Sequence, residues 1–225
     1  MKLEESLNGG YNGLYGEVVD EDCYRLKKLP FIPSVIFDLG CNIGVFTRFA
    51  ASLFPNAKII SVEPDAGNCE VFRMFTSSEN VTLIQKAIGK GKVWRCDGAV
   101  NGAHESYLSS GLGFPFVVGE KMEKIKETEV ETIMPSYLFS QYAKGKVMVK
   151  MDIESAENII WDDVDSMRAL RSADYFAMEY HQGSLNGGIL QDEVRERTFE
   201  ALASFIPTHH CMLSHPMFYA IKRNL

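Results

Sequence analysis

Residues 35–47, VIFDLGCNIGVFT, decide the fold of this chain. They begin as a short apolar run, pass through a loop bounded by glycines, and continue into a helical pattern with one apolar face. Gly40 and Gly44 permit a sharp backbone turn and a close approach by a ligand. The segment therefore predicts a strand, a tight loop and a helix whose N-terminal amides point at a bound group.

The next predicted strand, residues 57–63, ends at an acidic residue, Glu63. An acid at a strand end about 20 residues beyond a glycine loop is positioned to accept hydrogen bonds from the ribose hydroxyls of a nucleoside. A dinucleotide site would show the pattern G-x-G-x-x-G, but the loop at residues 40–44 lacks the middle glycine. Asp38, which precedes the loop, would also repel a phosphate. These features favour a nucleoside ligand without a phosphate.

S-adenosylmethionine fits this description, because it carries a ribose, a sulfonium and an amino acid tail but no phosphate. We expect Asp38 to face its amino group or to lie near its sulfonium. The alternative is that the glycines only form a turn and that Glu63 is a solvated strand end. For each residue alone this alternative is preferable, but the loop, Asp38 and Glu63 together favour a cofactor site.

The composition fits one domain of ordinary α/β size. The chain has 225 residues, 46% of them hydrophobic, and a formal net charge of −7, so it can bury a substantial core but lacks the basic character of a general binder of nucleic acid or anionic membranes. Five scattered cysteines without a C-x-x-C pair favour reduced thiols and a cytoplasmic location. No signal-peptide pattern or membrane-spanning apolar run is present in the sequence. We expect an N-terminal arm over residues 1–34 and a single domain over residues 35–225.

Strands and helices alternate along the rest of the chain. The strands predicted after residue 63 cover residues 81–85, 92–96, 114–118, 124–133, 146–152 and 175–181. The predicted helices cover residues 45–54, 66–75, 157–161 and 190–205, and a hairpin closes the chain over residues 210–222. This alternation predicts a doubly wound, mostly parallel α/β sheet with helices on both faces and one antiparallel strand at the end.

Ligands of such sheets bind at the carboxyl ends of the strands. Ala87, which follows the third predicted strand, is expected to line an adenine pocket at this edge. Asp152, Glu154 and Glu157 follow the strand over residues 146–152. With Glu179 they could bind a divalent cation, but an acid at a helix N-terminus and a structural hydrogen bond explain them as well. The second explanation is preferred, and no metal is predicted.

Four motifs together resemble the FkbM family of S-adenosylmethionine-dependent methyltransferases. They are DLGCNIG at residues 38–44, VEP at 62–64, KMDIESAE at 150–157 and EYH at 179–181. The family pattern is approximately D-x-G-A-N-x-G, F/V-E-P, K-x-D-x-E-G-x-E and E-x-H, and the resemblance runs from about residue 35 to residue 182. Two departures are Cys41 in place of the usual alanine and Ser155 in place of a glycine.

The resemblance implies the seven-stranded, Rossmann-like sheet of class I methyltransferases and O-methylation, often of natural-product or sugar hydroxyls. The residues expected to bind the cofactor, from the loop, the strand ends and this resemblance, are Asp38, Gly40, Cys41, Asn42, Gly44, Glu63, Pro64, Ala87 and Asp152.

A hydroxyl acceptor must lose its proton during methyl transfer. His181 is the best candidate base, because an unperturbed imidazole has a pKa of about 6.5. Glu179 could orient it, and Asp152 could position the acceptor or act as the base. A structural, hydrogen-bonded role for His181 is an equally good interpretation.

Three classes of function remain open on the sequence. The leading one is an O-methyltransferase for a small molecule, natural product or sugar. The second is an RNA methyltransferase, against which the acidic composition argues. The third is a nucleoside-binding Rossmann-like domain without catalysis, which would keep Glu63 but would not need Asp152 or His181.

Overall fold

The chain forms a central seven-stranded sheet in a computed structural model that describes residues 13–90, 93–95, 107–109, 128–153, 157–180, 189–214 and 216–223. The strands, in chain order, are β1 Val35–Leu39, β2 Lys58–Val62, β3 Val81–Ile84, β4 Ala87–Ile88, β5 Val93–Arg95, β6 Tyr107–Ser109, β7 Thr128–Val130, β8 Thr132–Ile133, β9 Val147–Met151, β10 Tyr175–Glu179, β11 His209–Ser214 and β12 Met217–Lys222. The helices are α1 Val45–Leu53, α2 Ala66–Phe75, α3 Pro135–Tyr142, α4 Glu157–Trp161, α5 Val164–Ser172 and α6 Ile189–Ala203.

The order of strands in the main sheet is β11-β12-β10-β9-β1-β2-β3. Strands β3, β2, β1, β9 and β10 pair in parallel, whereas β12 runs antiparallel to both β10 and β11. The predicted doubly wound, mostly parallel sheet with a closing antiparallel hairpin is therefore confirmed.

The two central strands, β1 and β9, are buried along their full length. Such strands are covered on both faces by helices and are accordingly almost continuously apolar. The exceptions are Asp38 in β1 and Lys150 in β9, which stand opposite each other in the parallel register. A charged pair thus lies within two otherwise apolar strands.

One face of the sheet packs against α3, α4, α5 and α6, through side chains that include Leu138, Ile160, Leu170 and Leu202. The other face packs against α1 and the N-terminal segment. Val18, Tyr24 and Leu26 of that segment share this second core with strand residues such as Ile36 and Met148. The described part of the N-terminal arm is therefore packed into the core.

The described residues between β3 and α3 include the strands of two small sheets. One pairs β4 with β8, and the other has the order β6-β5-β7. The predicted strand over residues 92–96 is confirmed as β5, but the single strand predicted over residues 124–133 is divided between β7 and β8. The predicted strand over residues 114–118 lies outside the described residues. Among the described helices, none combines the length and the apolar composition that crossing a bilayer requires.

Candidate cofactor site

Strand register aligns the candidate residues along one edge of the sheet. Leu39 at the end of β1 stands opposite Val62 of β2 and Met151 of β9, and Met151 stands opposite Met178 of β10. The residues that follow these positions are, across the sheet, Glu63, Gly40, Asp152 and Glu179. The predicted acids and the glycine loop therefore meet at the carboxyl ends of four adjacent parallel strands. Ligands bind at this edge in this class of fold, and we call it the ligand edge.

The loop between β1 and α1 depends on glycine at both of its ends. Gly40 has a φ of +80° and Gly44 a φ of +86°, a backbone region that other L-residues rarely adopt. A Cβ atom on Gly40 would lie 1.7 Å from the carbonyl oxygen of Asp152, and one on Gly44 would lie 2.5 Å from the Phe72 ring. Both glycines are thus required by packing inside the protein, whether or not a ligand is bound.

Asn42 occupies the middle of the loop with a φ of +49°, a conformation that asparagine tolerates better than most residues. Its side-chain oxygen accepts a hydrogen bond from the Ile43 amide at 2.7 Å. The amides of Gly40 and Cys41 both donate to the carbonyl of Val62, each at 2.9 Å. The Asn42 amide donates to Glu63, and the Gly44 amide donates to the Cys41 carbonyl at 2.8 Å. All five loop amides are therefore used within the protein, and a pyrophosphate would have to displace these bonds.

Glu63 joins the end of β2 to the glycine loop. One carboxylate oxygen, Oε2, accepts a hydrogen bond from the Asn42 amide at 2.9 Å. The other oxygen accepts from the Asp65 amide at 3.0 Å and from Asn68 Nδ2 at 3.2 Å. Burial raises the pKa of this carboxyl, and the three hydrogen bonds oppose the shift. Glu63 is 6% exposed, and its carboxylate thus fixes the glycine loop against the end of β2.

Asp38 differs from the expectation that it faces a ligand. Its carboxylate has no exposed surface, and Oδ2 accepts a hydrogen bond from the Thr47 hydroxyl at 2.6 Å. The other oxygen, Oδ1, lies 3.3 Å from the ammonium nitrogen of Lys150. The Asp38 side chain therefore lies between the sheet and α1, in contact with Thr47 of α1 and Lys150 of β9.

Lys150 connects Asp38 to the candidate site. Its ammonium donates a hydrogen bond to the carbonyl oxygen of Gly40 at 2.5 Å and lies 3.8 Å from Asp152 Oδ2. Burial opposes the charge, but the carboxylates of Asp38 and Asp152 outweigh it and raise the pKa of Lys150. The ammonium therefore stays charged at neutral pH. It links the Gly40 carbonyl, the first in the loop, to the carboxylates of Asp38 and Asp152.

Asp152 keeps part of its side chain exposed, 23%, in contrast to Asp38. Its Oδ2 also accepts a hydrogen bond from the Tyr24 hydroxyl at 3.1 Å. Sequence analysis did not identify Tyr24 or Lys150 as site residues. Tyr24 is 128 residues away along the chain, and no local spacing relates it to Asp152. Lys150 could have been found, because a lysine inside a buried apolar strand requires a partner.

Three further residues predicted to bind the cofactor, Pro64, Ala87 and Cys41, are half-buried or buried. Pro64 is half-buried and precedes Asp65, whose side chain caps α2 by accepting the Asn68 amide at 2.7 Å. Ala87 is buried, and its amide donates to the Glu131 carbonyl at 2.8 Å. Cys41 is also buried, and burial raises its thiol pKa well above the usual range.

The candidate catalytic residues are only partly described. Glu179 is half-buried at the end of β10. It follows Met178, which pairs with Met151, the residue before Asp152. His181 and Glu154 lie outside the described residues. Within the described ranges, no three His, Cys, Asp or Glu side chains come together as ligands for a metal ion.

Comparison with known proteins gives one short sequence match. No protein-family model matches the chain. The methyltransferase sdnD of Sordaria araneosa is 37% identical over 51 residues, which cover 23% of this chain and 19% of that protein. The chain thus matches about a fifth of the length of this curated relative.

Two solved structures illustrate the level of similarity that structural comparison finds. One is precorrin-6y C5,15-methyltransferase from Geobacter metallireducens GS-15, with 15% identity, a TM-score of 0.46, and coverage of 89% of this chain and 84% of that one. The other is Aeropyrum pernix fibrillarin, solved with natively bound S-adenosyl-L-methionine, with 13% identity, a TM-score of 0.47, and coverage of 91% and 74%. At these values no residue role or substrate transfers to this chain.

The strand order identifies the fold independently of these alignments. A seven-stranded sheet with the order β3-β2-β1-β9-β10-β12-β11, in which β12 is antiparallel, is the arrangement of class I methyltransferases. The chain has the fold of the class I S-adenosylmethionine-dependent methyltransferases.

Proposed function

We propose that this chain binds S-adenosylmethionine and transfers its methyl group to a hydroxyl oxygen of a small molecule, natural product or sugar. The observation that carries the proposal is the hydrogen bond from the Asn42 amide to Glu63 Oε2 at 2.9 Å. It joins the glycine loop and the strand-end acid into one edge. A ribose that lies along this edge can donate its hydroxyls to the acid, as in other nucleoside-binding α/β proteins.

The donor and acceptor groups at this edge fit a nucleoside without a phosphate. Each carboxylate oxygen can accept about two hydrogen bonds, and Oε2 of Glu63 accepts one from the described residues, that from Asn42. The acid thus retains capacity for a ribose hydroxyl. The loop amides of Gly40, Cys41 and Ile43 are used internally, which disfavours NAD because its pyrophosphate needs backbone amides.

The proposed cofactor contacts follow from position along the edge. The loop residues Gly40, Cys41, Asn42 and Gly44 would border the cofactor with their backbone. Around the nucleoside, Glu63 would accept from the ribose, and Pro64 and Ala87 would contribute to the wall near the base. These roles retain the expectations from the sequence, apart from that of Asp38.

Asp38 acts indirectly in this proposal. Its buried carboxylate holds Lys150 and Thr47, and Lys150 in turn holds the Gly40 carbonyl and lies beside Asp152. The partly exposed acid that would face the positive end of the cofactor is therefore Asp152.

S-adenosylmethionine, when bound, supplies a methyl group activated by a sulfonium. The protein then has to hold the acceptor oxygen in line and remove its proton. We assign the proton removal to His181, with Glu179 as its orienting partner. Asp152, which like Glu179 directly follows the paired residues Met151 and Met178, would position the acceptor.

Membership of the FkbM family is part of the same proposal. The support is the sequence of motifs from Asp38 to His181, in which Lys150, Asp152 and Glu157 match the K-x-D-x-E-G-x-E pattern. Lys150 and Asp152 also lie together at the site, so the motif has a structural basis in this chain.

The first test is a calorimetric titration of the purified protein with S-adenosylmethionine, with NAD as the control ligand. Micromolar binding of the first and none of the second is the expected result. Binding of NAD, or of neither ligand, would overturn the cofactor assignment.

Catalysis is tested by transfer of a labelled methyl group to a panel of hydroxylated small molecules and sugars. On an acceptor identified in this way, His181→Ala should lower kcat by about 10²–10⁴-fold, which is the usual contribution of a general base. His210→Ala is the matched control, because His210 is exposed on β11. Equal activities of the two variants would exclude His181 as the base.

A further inference from the structure

The N-terminal arm reaches the candidate site through one hydroxyl group. Tyr24 is 3% exposed, and its hydroxyl donates to Asp152 Oδ2 at 3.1 Å. Its ring packs edge-on against Phe46, with ring centroids 5.3 Å apart, and the Lys150 ammonium lies 5.5 Å from the Tyr24 ring centroid. The same carboxylate oxygen of Asp152 thus faces a neutral donor from the arm and a cation from β9.

The backbone around Tyr24 is anchored independently of this hydroxyl. The Tyr175 hydroxyl donates to the Tyr24 carbonyl at 3.2 Å, and the Tyr219 hydroxyl donates to the Cys23 carbonyl at 2.6 Å. The Tyr24 hydroxyl is therefore not needed to keep this segment in place. Its one described partner is a partly exposed acid at the ligand edge, which points to a role in the site.

We propose, on the basis of the function proposed above, that Tyr24 is a positioning residue that holds the Asp152 carboxylate toward the sulfonium of S-adenosylmethionine. Lys150 lies deeper, at 4% exposure and 3.8 Å from the same oxygen. Without the Tyr24 hydroxyl, the Lys150 ammonium competes more strongly for Oδ2 and draws the carboxylate inward, because attraction between opposite charges grows as they approach and lose solvent.

The position of the Asp152 carboxylate should affect which of two related ligands binds more tightly. S-adenosylmethionine and its product, S-adenosylhomocysteine, share the nucleoside and the amino acid tail, but the product has a neutral thioether in place of the sulfonium. A carboxylate held toward the sulfur favours the charged ligand over the neutral one. Tyr24 should therefore influence the ratio of the two affinities, whereas a residue that only stabilises the arm should change both affinities alike.

The test is calorimetric titration of wild-type protein, Tyr24→Phe and Tyr175→Phe with both ligands. Tyr24→Phe removes the hydroxyl and keeps the packed ring. Tyr175→Phe is the matched control, because it removes a buried tyrosine hydroxyl that also bonds to the arm but does not touch Asp152. We expect Tyr24→Phe to weaken S-adenosylmethionine binding by roughly three- to tenfold, which is the range of one typical hydrogen bond, and S-adenosylhomocysteine binding by less than about twofold.

Tyr175→Phe should leave the ratio of the two affinities unchanged. Equal weakening of both ligands by Tyr24→Phe, unchanged affinities, or the same ratio change in both variants would overturn the positioning role. Failure of the wild-type protein to bind S-adenosylmethionine is a separate result, which would overturn the proposed function and this inference with it. Urea unfolding of all three proteins shows whether an affinity change reflects lost stability.

Discussion

The Lys150 ammonium nitrogen lies 3.3 Å from Asp38 Oδ1, and both side chains are buried, at 4% and 0% exposure. Removing one member of such a pair leaves an uncompensated charge in the core. Lys150→Met should therefore lower the free energy of unfolding by about 3–5 kcal/mol, measured by urea denaturation. The variant Asp38→Asn/Lys150→Met should recover part of this loss, because neither remaining side chain is charged.

The matched control is Lys146→Met, in the same strand region. Lys146 pairs with Asp174 at 3.2 Å, but the lysine side chain is 43% exposed. Solvent screens this pair, so its loss should change stability by less than about 1 kcal/mol. Similar losses for the two methionine variants would contradict the view that burial of the pair determines its contribution.

Glu63 should control recognition of the ribose. Glu63→Ala removes the acceptor that we assign to the ribose hydroxyls, and we expect S-adenosylmethionine binding to weaken by an order of magnitude or more, since hydrogen bonds to a charged group are lost. Calorimetry measures this change, with the exposed Glu70 of α2 as the site of the control variant Glu70→Ala. Unchanged affinity in Glu63→Ala would exclude the ribose assignment.

Glu63→Ala also removes the acceptor of the Asn42 amide, so the loop itself can change. A comparison of adenosine with 2′,3′-dideoxyadenosine, which lacks both ribose hydroxyls, separates loss of the hydroxyl acceptor from a change in the loop. Wild-type protein should prefer adenosine, and Glu63→Ala should bind both ligands alike. A preference for adenosine that persists in the variant would mean that another group recognises the hydroxyls.

Binding of S-adenosylmethionine should weaken on acidification at a pH above the ordinary titration range of glutamate. Burial raises the pKa of Glu63, and only the ionised carboxylate is a full acceptor for the ribose. Affinity is therefore complete above this raised pKa and falls as the pH drops through it. A pH series of calorimetric titrations should show this decrease in the wild-type protein and not in Glu63→Ala.

The effect of the same group on folding has the opposite sign. Because the native state holds the proton of Glu63 more tightly than the unfolded state does, the contribution of this residue to the free energy of unfolding rises as pH falls through the raised pKa. Weaker binding in acid without a parallel loss of stability would thus distinguish titration of Glu63 from general acid unfolding.

The local part of the site could be predicted from the sequence. The apolar run of β1, the glycine loop and the acid after β2 are each encoded within a short segment, and the structure brings Glu63 and the loop together as adjacent strand ends. Helices α3 and α5 were missed, although Pro135 at the first turn of α3 and Asp163 as the cap of α5 are recognisable start signals.

The long-range part could not be predicted in this way. Asp38 was expected to face a ligand because it immediately precedes the glycine loop. The sequence around it does not reveal that Lys150 stands opposite it in the register of β1 and β9. The contact between Tyr24 and Asp152 likewise depends on how the N-terminal arm packs against α1 and the sheet. Pairings of this kind are set by tertiary packing rather than by local spacing.

Gly40 is required by the close approach of β1 and β9 at the ligand edge. A Cβ atom there would lie 1.7 Å from the backbone oxygen of Asp152, in addition to the strain of a φ of +80°. Gly40→Ala should therefore lower the free energy of unfolding by about 4 kcal/mol or more, measured by urea denaturation. Gly145→Ala is the control, since Gly145 has a φ of +65° and its added Cβ would meet a side chain rather than backbone, with Ser34 Oγ at 2.5 Å and Ser34 Cβ at 2.9 Å. Its expected loss is about 1–2 kcal/mol, the cost of the backbone conformation. Equal losses would mean that backbone conformation, and not contact with Asp152, requires glycine at position 40.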